Sequence, residues 1–124
     1  MPTDLSKLSP ADLNRLAAEL QGWWWEDSYE PTDGSLGSRG GWFTADNRRV
    51  SGGTQRDGCR AYTPESDVPQ SLALLEWQSG NIVLTRIGGQ WSAAITGGSA
   101  ISDRLARAIT EAWCVAKQAE KARA

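Results

Sequence analysis

Apolar residues recur every three or four positions near the start of the chain, which is the spacing of one face of an α-helix. The stripe consists of Leu13, Leu16, Ala17 and Leu20. Ser9 is a good N-cap, Pro10 suits the first helical position, and Gly22 is a stop signal. The pattern predicts a first helix that begins at Pro10 and ends before Gly22.

An alternating pattern predicts a β-hairpin further along the chain. Residues 82–87 and 90–96 flank a Gly-Gly pair, which favours a two-residue turn. If the residues next to the turn face each other, one face carries Ile82, Leu84, Arg86, Trp91, Ala93 and Ile95. We expect this face to be buried, with Arg86 lying across Trp91 at its rim. The other face is only partly apolar and carries Val83, Thr85, Ile87, Gln90 and Ser92.

The C-terminal part of the chain contains a second helical stripe. Its members are Ile101, Leu105, Ala108, Ile109, Ala112 and Ala116, with Trp113 on the edge. The stripe predicts a long helix that begins at Ile101 or Ser102 and ends near Lys121.

Three small residues, Ala106, Thr110 and Cys114, fall opposite this stripe on the same helix. Small residues at this spacing let another helix approach closely, so they are a candidate seam for a homodimer, and closed two-fold pairing is the commonest oligomer. The alternative is a harmless exposed face in which alanine serves only helix propensity.

The middle of the chain is rich in glycine and arginine. Residues 28–58 contain seven glycines and few aliphatic side chains, so they cannot supply a core. We expect a loop interrupted by one short strand at 41–44. Structureless loops longer than ~12–15 residues are usually functional or disordered. We therefore treat 28–58 as a Gly/Arg-rich insert within a single domain of residues 1–124.

A turn and a second helix follow the insert. Residues 60–62 are compatible with a further strand, and Thr63–Asp67 resembles a turn that caps a helix. This helix is predicted from Val68 to about Trp77, with Val68, Leu72 and Leu75 facing inward. With the hairpin and the long C-terminal helix, these elements indicate an α+β fold.

Length and composition limit the class of protein. A chain of 124 residues suffices for one two-layer core. No apolar run approaches the ~20 residues that cross a bilayer, and the N-terminus lacks the basic and apolar regions of a signal peptide. We therefore expect a cytoplasmic protein with no membrane partner, in which Cys59 and Cys114 stay reduced.

Charge is unevenly distributed along the chain. The net charge of −2 argues against general nucleic-acid binding. Residues 1–35 hold seven acidic side chains against two basic ones, whereas residues 36–60 hold five arginines against two aspartates. The simplest interpretation is that the two segments pair across the surface, and exposed pairs contribute little to stability.

Three consecutive tryptophans, Trp23, Trp24 and Trp25, follow the first helix. Successive side chains of an extended strand point to opposite faces, so one sheet face cannot bury all three indoles. Indoles are large anchors that are enriched where binding energy concentrates. At least one of the three is therefore expected to be exposed, covered by a loop, or available to a partner.

The order of these motifs resembles a known family, the small phage and prophage proteins described as the phage ABA sandwich domain. The matching segments are 13–23, 62–67, 89–93 and 105–114. The resemblance implies a phage origin and a small antiparallel β-sheet with helices packed on it, α-β-α sandwich-like, with a long C-terminal helix. It implies no assigned activity. Trp24, Trp25 and the insert depart from the short linker of that family, so a function specific to this protein is expected there.

Catalysis has little support in the sequence. Histidine, the commonest general base and metal ligand, is absent, and the two cysteines lack a zinc-ligand pattern. Adjacent Glu26 and Asp27 are typical of a solvated surface. The glycine spacing at 34–40 does not match a Walker or Rossmann signature, and the alternative left by its glycines is a generic anion-binding loop assisted by arginines. We therefore expect no enzyme activity, no metal site and no cofactor.

Two functions and one structural role remain as hypotheses. In the first, the chain is a phage accessory protein that binds and inhibits a host defence protein. In the second, it binds a nucleotide-like small molecule and sequesters a host defence signal, with indoles stacking on bases and arginines holding phosphates. In the third, the indoles only build a satellite core. The candidate binding residues are Trp24, Trp25, Tyr29, Arg39, Trp42, Arg48, Arg49 and Arg56.

Overall fold

A computed structural model describes residues 5–26, 41–46, 62–76, 78 and 80–123. The chain divides into two compact units. The first combines Met1–Leu20 with Thr63–Ala124, and the second is Gln21–Tyr62, which contains the predicted insert. The α-helices and strands of the described residues are α1 Pro10–Leu20, β1 Trp24–Glu26, β2 Gly41–Phe43, α2 Val68–Leu74, β3 Val83–Ile87, β4 Gln90–Ile95, β5 Gly98–Ser102 and α3 Leu105–Arg123, and a short 3-10 helix, Leu5–Lys7, precedes α1.

The first unit is built around helix α3. Strands β3, β4 and β5 form an antiparallel sheet in that order. Helix α3 packs on β4 and β5, and helices α1 and α2 pack on α3. The predicted α+β class, with a small antiparallel sheet, packed helices and a long C-terminal helix, is therefore confirmed. The layers run from the sheet to α3 and then to α1 and α2.

Helix α1 has the ends that the sequence predicts. Its start is capped by Ser9, whose Oγ accepts a hydrogen bond from the Asp12 amide at 3.1 Å. Leu13 and Ala17 are fully buried. Gly22, just beyond the helix, has a φ of +82°, a left-handed conformation that glycine adopts at no steric cost.

The predicted hairpin and its register are confirmed, but the face expected to be buried is buried only on β4, at Ala93 and Ile95. Its β3 half is exposed at Leu84 and Arg86, because α3 packs on β4 and β5. Ile87 pairs with Gln90 across the turn, and Arg86 pairs with Trp91. Both turn glycines have positive φ, as a tight two-residue hairpin turn requires. The Arg86 guanidinium carbon lies 5.6 Å from the centre of the Trp91 ring, so the expected cation–π contact is present.

A third strand replaces the predicted start of the C-terminal helix. Residues 98–102 form β5, and α3 begins only at Leu105. Ile101, which the sequence assigned to the core stripe of the helix, is an exposed residue of β5. Gly98 permits this arrangement: an added Cβ would overlap the Ala112 carbonyl oxygen and lie 2.7 Å from the Ala116 nitrogen. The strand thus approaches α3 closely enough that a side chain at residue 98 would not fit.

Helix α2 is shorter than predicted and presents a different face. It ends at Leu74 rather than near Trp77, and its buried residues are Ser71 and Leu74. The prediction that Val68 and Leu72 face inward is wrong, since both are exposed, whereas Leu75 is buried as expected. Burial of polar Ser71 is tolerated because its hydroxyl donates to the Val68 carbonyl at 2.8 Å. The Asp67 carboxylate caps the helix through the Gln70 amide, as expected.

The predicted back face of α3 is covered within one chain. Ala106, Thr110 and Cys114 are all buried. The close helix approach that small residues permit is made by helices of the same chain, because α1 and α2 pack on α3. These three residues are therefore neither an exposed face of the protein nor a free surface at which a homodimer seam could form.

A charged pair lies inside this helical layer. Arg107 and Glu111 are both buried, and the Arg107 Nε donates to Glu111 Oε2 at 2.7 Å. The Arg107 guanidinium also donates to the carbonyls of Leu5, Ser6 and Leu8, at 3.1, 3.4 and 2.8 Å. One side chain therefore neutralises a buried carboxylate and fixes the segment that precedes α1 against α3.

Replacing Gly98 by alanine should destabilise the first unit. The new methyl group would meet backbone atoms of α3, which cannot move away as a flexible side chain would. We expect a loss of about 1–3 kcal/mol in the free energy of unfolding, measured by thermal or urea denaturation. Ser99→Ala, an exposed change on the same strand, is the control and should alter stability by less than about 0.5 kcal/mol. Equal effects of the two changes would contradict the close approach of β5 to α3.

Replacing Arg107 by methionine should destabilise the protein by about 3–5 kcal/mol, because Glu111 would remain as a buried, unpaired charge. The double variant Arg107→Met with Glu111→Leu removes both charges and should be more stable than the single variant. Urea denaturation followed by circular dichroism measures both. A double variant no more stable than Arg107→Met would show that the buried charge is not the cause.

Candidate binding site

Strands β1 and β2 form a two-stranded antiparallel ribbon in the second unit, which we call the aromatic ribbon. Its register pairs Trp24 with Phe43, Trp25 with Trp42, and Glu26 with Gly41. The strand predicted at 41–44 is therefore present as β2. Its partner strand begins inside the tryptophan run, so two segments that are distant in sequence bring their aromatic residues together.

Trp24 and Phe43 form a stacked pair on this ribbon. Their ring centroids are 4.7 Å apart and their planes differ by 17°. Trp24 nevertheless keeps 40% of its surface exposed. The stack holds the indole in one orientation, while a substantial part of its surface stays available for contact. A rigid, exposed aromatic side chain of this kind loses little conformational entropy when it binds a partner.

Trp23 has a different environment within the same unit. Its ring lies 4.8 Å from that of Tyr62, at a tilt of 59°. The Tyr62 hydroxyl in turn accepts a hydrogen bond from the Gln21 Nε2 at 2.7 Å. Trp23 thus contacts the segment that closes the unit, whereas Trp24 is exposed. Neighbouring indoles of the run therefore differ: Trp23 is half-buried and packs against Tyr62, whereas Trp24 is exposed.

The other candidate binding residues divide into two groups. Trp25 and Trp42 are paired by the strand register, and only their backbone is described. Tyr29, Arg39, Arg48, Arg49 and Arg56 lie outside the described residues. The ribbon therefore brings three of the predicted residues onto neighbouring strands. It adds Phe43, which sequence reasoning placed in a strand without assigning it a role.

A second cluster of polar residues lies in the first unit and is structural. The Asn14 side-chain oxygen accepts a hydrogen bond from the Glu65 amide at 3.1 Å. The Glu65 carboxylate is buried and bonds the Arg104 guanidinium at 2.8 Å. The Thr63 amide donates to Gln70 Oε1 at 2.6 Å. The segment 63–67 is therefore a turn and helix cap held in place by side-chain hydrogen bonds, and its carboxylate is occupied by an ion pair.

Cys114 is chemically protected. Burial, together with the nearby negative charge of Glu111, raises the pKa of the Cys114 thiol to about 12. The thiol therefore remains protonated throughout the physiological pH range. Because the thiolate is the reactive form, Cys114 is a core side chain rather than a nucleophile or a metal ligand.

Metal-ligating residues do not cluster in the described part of the chain: it contains no group of three or more histidine, cysteine, aspartate or glutamate residues arranged to hold an ion. Among the same residues, no helix combines the length and apolar character needed to cross a membrane.

Comparison of the chain with protein-family models, with curated proteins and with solved structures finds no match. The resemblance to the phage ABA sandwich domain therefore stays a prediction.

The raised pKa of Cys114 predicts slow thiol chemistry in the folded protein. At pH 8 a thiol with a pKa near 12 is ionised in about one molecule in ten thousand. In a Cys59→Ser background, which isolates Cys114, we expect no labelling by Ellman's reagent until the protein unfolds. The same variant in denaturant should react fully. Labelling of the folded variant at the rate of a free cysteine would contradict the burial of this residue.

Proposed function

We propose that this chain is a non-catalytic accessory protein of a phage or prophage, which binds a host protein through the aromatic ribbon. The observation that carries the proposal is the Trp24–Phe43 stack, which keeps 40% of Trp24 exposed while fixing its orientation. Tryptophan, with tyrosine and arginine, is enriched among the residues that dominate the binding energy at the centre of protein interfaces. An exposed indole held by a neighbouring ring has the properties of such an anchor.

Binding is favoured over catalysis by the roles of the reactive side chains in the first unit. Glu65 is paired with Arg104, and Glu111 is paired with Arg107. The raised pKa of Cys114 keeps its thiol protonated. Each of these groups holds the fold together, which supports binding through the exposed indole of Trp24 over catalysis by these residues.

A protein partner is favoured over a nucleotide by local charge. Glu26 lies on the ribbon, and Asp27, Glu30 and Asp33 follow it in the sequence. This acidic sequence would repel phosphate groups. The preference comes from sequence order, because Asp27, Glu30 and Asp33 lie outside the described residues, as do the arginines that would hold phosphates, Arg39, Arg48, Arg49 and Arg56. Sequestration of a nucleotide-like defence signal therefore remains the alternative hypothesis.

The proposed consequence of binding is inhibition of a host defence protein. Support comes from the motif order that resembles small phage proteins, together with the placement of the exposed indole in the unit that departs from that family. A surface that differs from the family pattern is where a specific partner would be recognised.

Replacement of Trp24 by alanine tests this proposal. The tagged full chain is used to capture proteins from a lysate of host cells, and the affinity of the recovered partner is then measured with purified components. We expect Trp24→Ala to weaken binding about thirtyfold, because interface anchors contribute at least ~2 kcal/mol. The matched control is Leu72→Ala, which removes a similarly exposed apolar side chain (43%) from the first unit and should leave binding unchanged.

Two results would contradict the proposal. If Trp24→Ala lowers the melting midpoint but leaves capture unchanged, the indole only builds a local core. If a thermal-shift screen with mono-, di- and cyclic nucleotides gives upshifts that Trp24→Ala abolishes, the ribbon binds a nucleotide instead.

A further inference from the structure

Strand β3 is an exposed apolar edge of the sheet. The sheet order β3-β4-β5 leaves one side of β3 without a partner strand in the described part of the chain. All five residues of β3 are exposed. The exposed fraction is 52% for Val83 and 70% for Ile87, and both lie on the face opposite Arg86. This edge lies in the first unit and is distinct from the aromatic ribbon.

The hairpin register determines which backbone groups of β3 face outward. In a two-residue hairpin the residues that flank the turn form a hydrogen-bonded pair, here Ile87 with Gln90. Hydrogen-bonded and non-hydrogen-bonded pairs alternate along antiparallel strands. Val83 and Thr85 therefore also bond to β4. The N–H and C=O groups of Leu84 and Arg86 point away from β4, towards the free edge.

Three of the devices that protect an edge strand, namely lysine, proline and a bulge, are absent from β3, and its one charged residue, Arg86, lies on the inner face rather than along the edge. Soluble proteins place lysine, proline or a bulge on such edges to prevent pairing with another chain. Residues 83–87 contain neither lysine nor proline, and their pairing with β4 runs without interruption. Their single charge, Arg86, is held over the Trp91 ring on the inner face. The edge is therefore competent to accept a further strand.

We propose that two copies of the chain pair antiparallel along β3, about a two-fold axis at Thr85, to form a continuous six-stranded sheet. In this register Leu84 of each copy exchanges backbone hydrogen bonds with Arg86 of the other. The outward-facing groups of both residues are then satisfied in both copies. A closed two-fold pair also leaves the β3 edge unavailable for further growth.

Side-chain chemistry selects this register over its neighbours. An axis at Thr85 places Val83 of each copy opposite Ile87 of the other. The two most exposed apolar residues of β3 are then covered in both copies. An axis at Arg86 would place two guanidinium groups directly opposite each other, which is destabilising. An axis at Leu84 would leave Ile87 beyond the paired segment. The strand is thus complementary to itself in one register, which favours a second copy over an unrelated peptide.

The dimer is expected to be weak. Standard protein interfaces bury about 800 Å² on each partner, and pairing along a five-residue strand offers less. We therefore expect a dimer that dissociates on dilution and that sedimentation velocity detects as a concentration-dependent mass.

Charge reversal at Thr85 tests both the pairing and the register. Because Thr85 of each copy faces Thr85 of the other, Thr85→Lys and Thr85→Glu should each raise the dimer dissociation constant about fivefold through like-charge repulsion. An equimolar mixture of the two variants should restore association, since lysine then faces glutamate. Ser99→Lys adds the same charge to the same face of the sheet at the far strand, β5, and should leave association unchanged.

A backbone measurement provides an independent readout. Hydrogen exchange of the Leu84 and Arg86 amides should slow as the wild-type concentration rises, while circular dichroism verifies that the variants remain folded. A protein that stays monomeric over about two orders of magnitude in concentration would overturn the proposal and would leave the edge open to a strand from another protein. Failure of the mixed variants to associate, with the single variants folded, would overturn the register at Thr85.

Discussion

Helix α3 contacts the sheet on one side and helices α1 and α2 on the other, so every residue from Ala106 to Cys114 is buried. Unlike the exposed end of the helix at 120–123, this buried stretch cannot turn a polar face to water. Its charged residues must therefore be neutralised inside the protein, and Arg107 does this by pairing with Glu111 and donating to three backbone carbonyls. The remaining positions must be small where a strand or helix approaches. Two requirements of α3 thus position the elements around it, namely the neutralisation of its buried charges and small residues at its close contacts. These elements are the sheet, the N-terminal segment and the two shorter helices.

Local signals in the sequence predicted the elements whose stability is local. The caps of α1 and the register of the hairpin depend on residues within a few positions of each other, and both are present. The start of α3, the buried face of α2 and the back face of α3 were predicted wrongly. Each depends on packing between distant segments: residue 98 forms a strand because glycine there fits against α3. Hydrophobic periodicity gave no sign that the polar residue Ser71 would be buried, which is possible because its hydroxyl is satisfied within the helix.

The candidate site shows the same division. The excess of indoles over what one sheet face can bury was visible in the sequence, and Trp24 is indeed exposed. Phe43, which holds Trp24 in place, could not be assigned a role from sequence because strand pairing joins segments that are far apart along the chain. The different roles of Trp23 and Trp24 likewise follow from their partners, Tyr62 and Phe43. Composition thus located the segment, and tertiary contacts distinguished its residues.

The hydrogen bond between Asn14 and the Glu65 amide joins the two pieces of chain that border the second unit. The first unit therefore fixes the two places where the chain leaves it and returns to it, and residues 21–62 connect these two places. The entropy lost in closing such a connection rises only with the logarithm of its length, at about 0.6 kcal/mol for each doubling. Segments of very different length and composition can consequently occupy this position at small thermodynamic cost. The architecture allows the sequence to change in one stretch of chain while the rest of the molecule keeps its core.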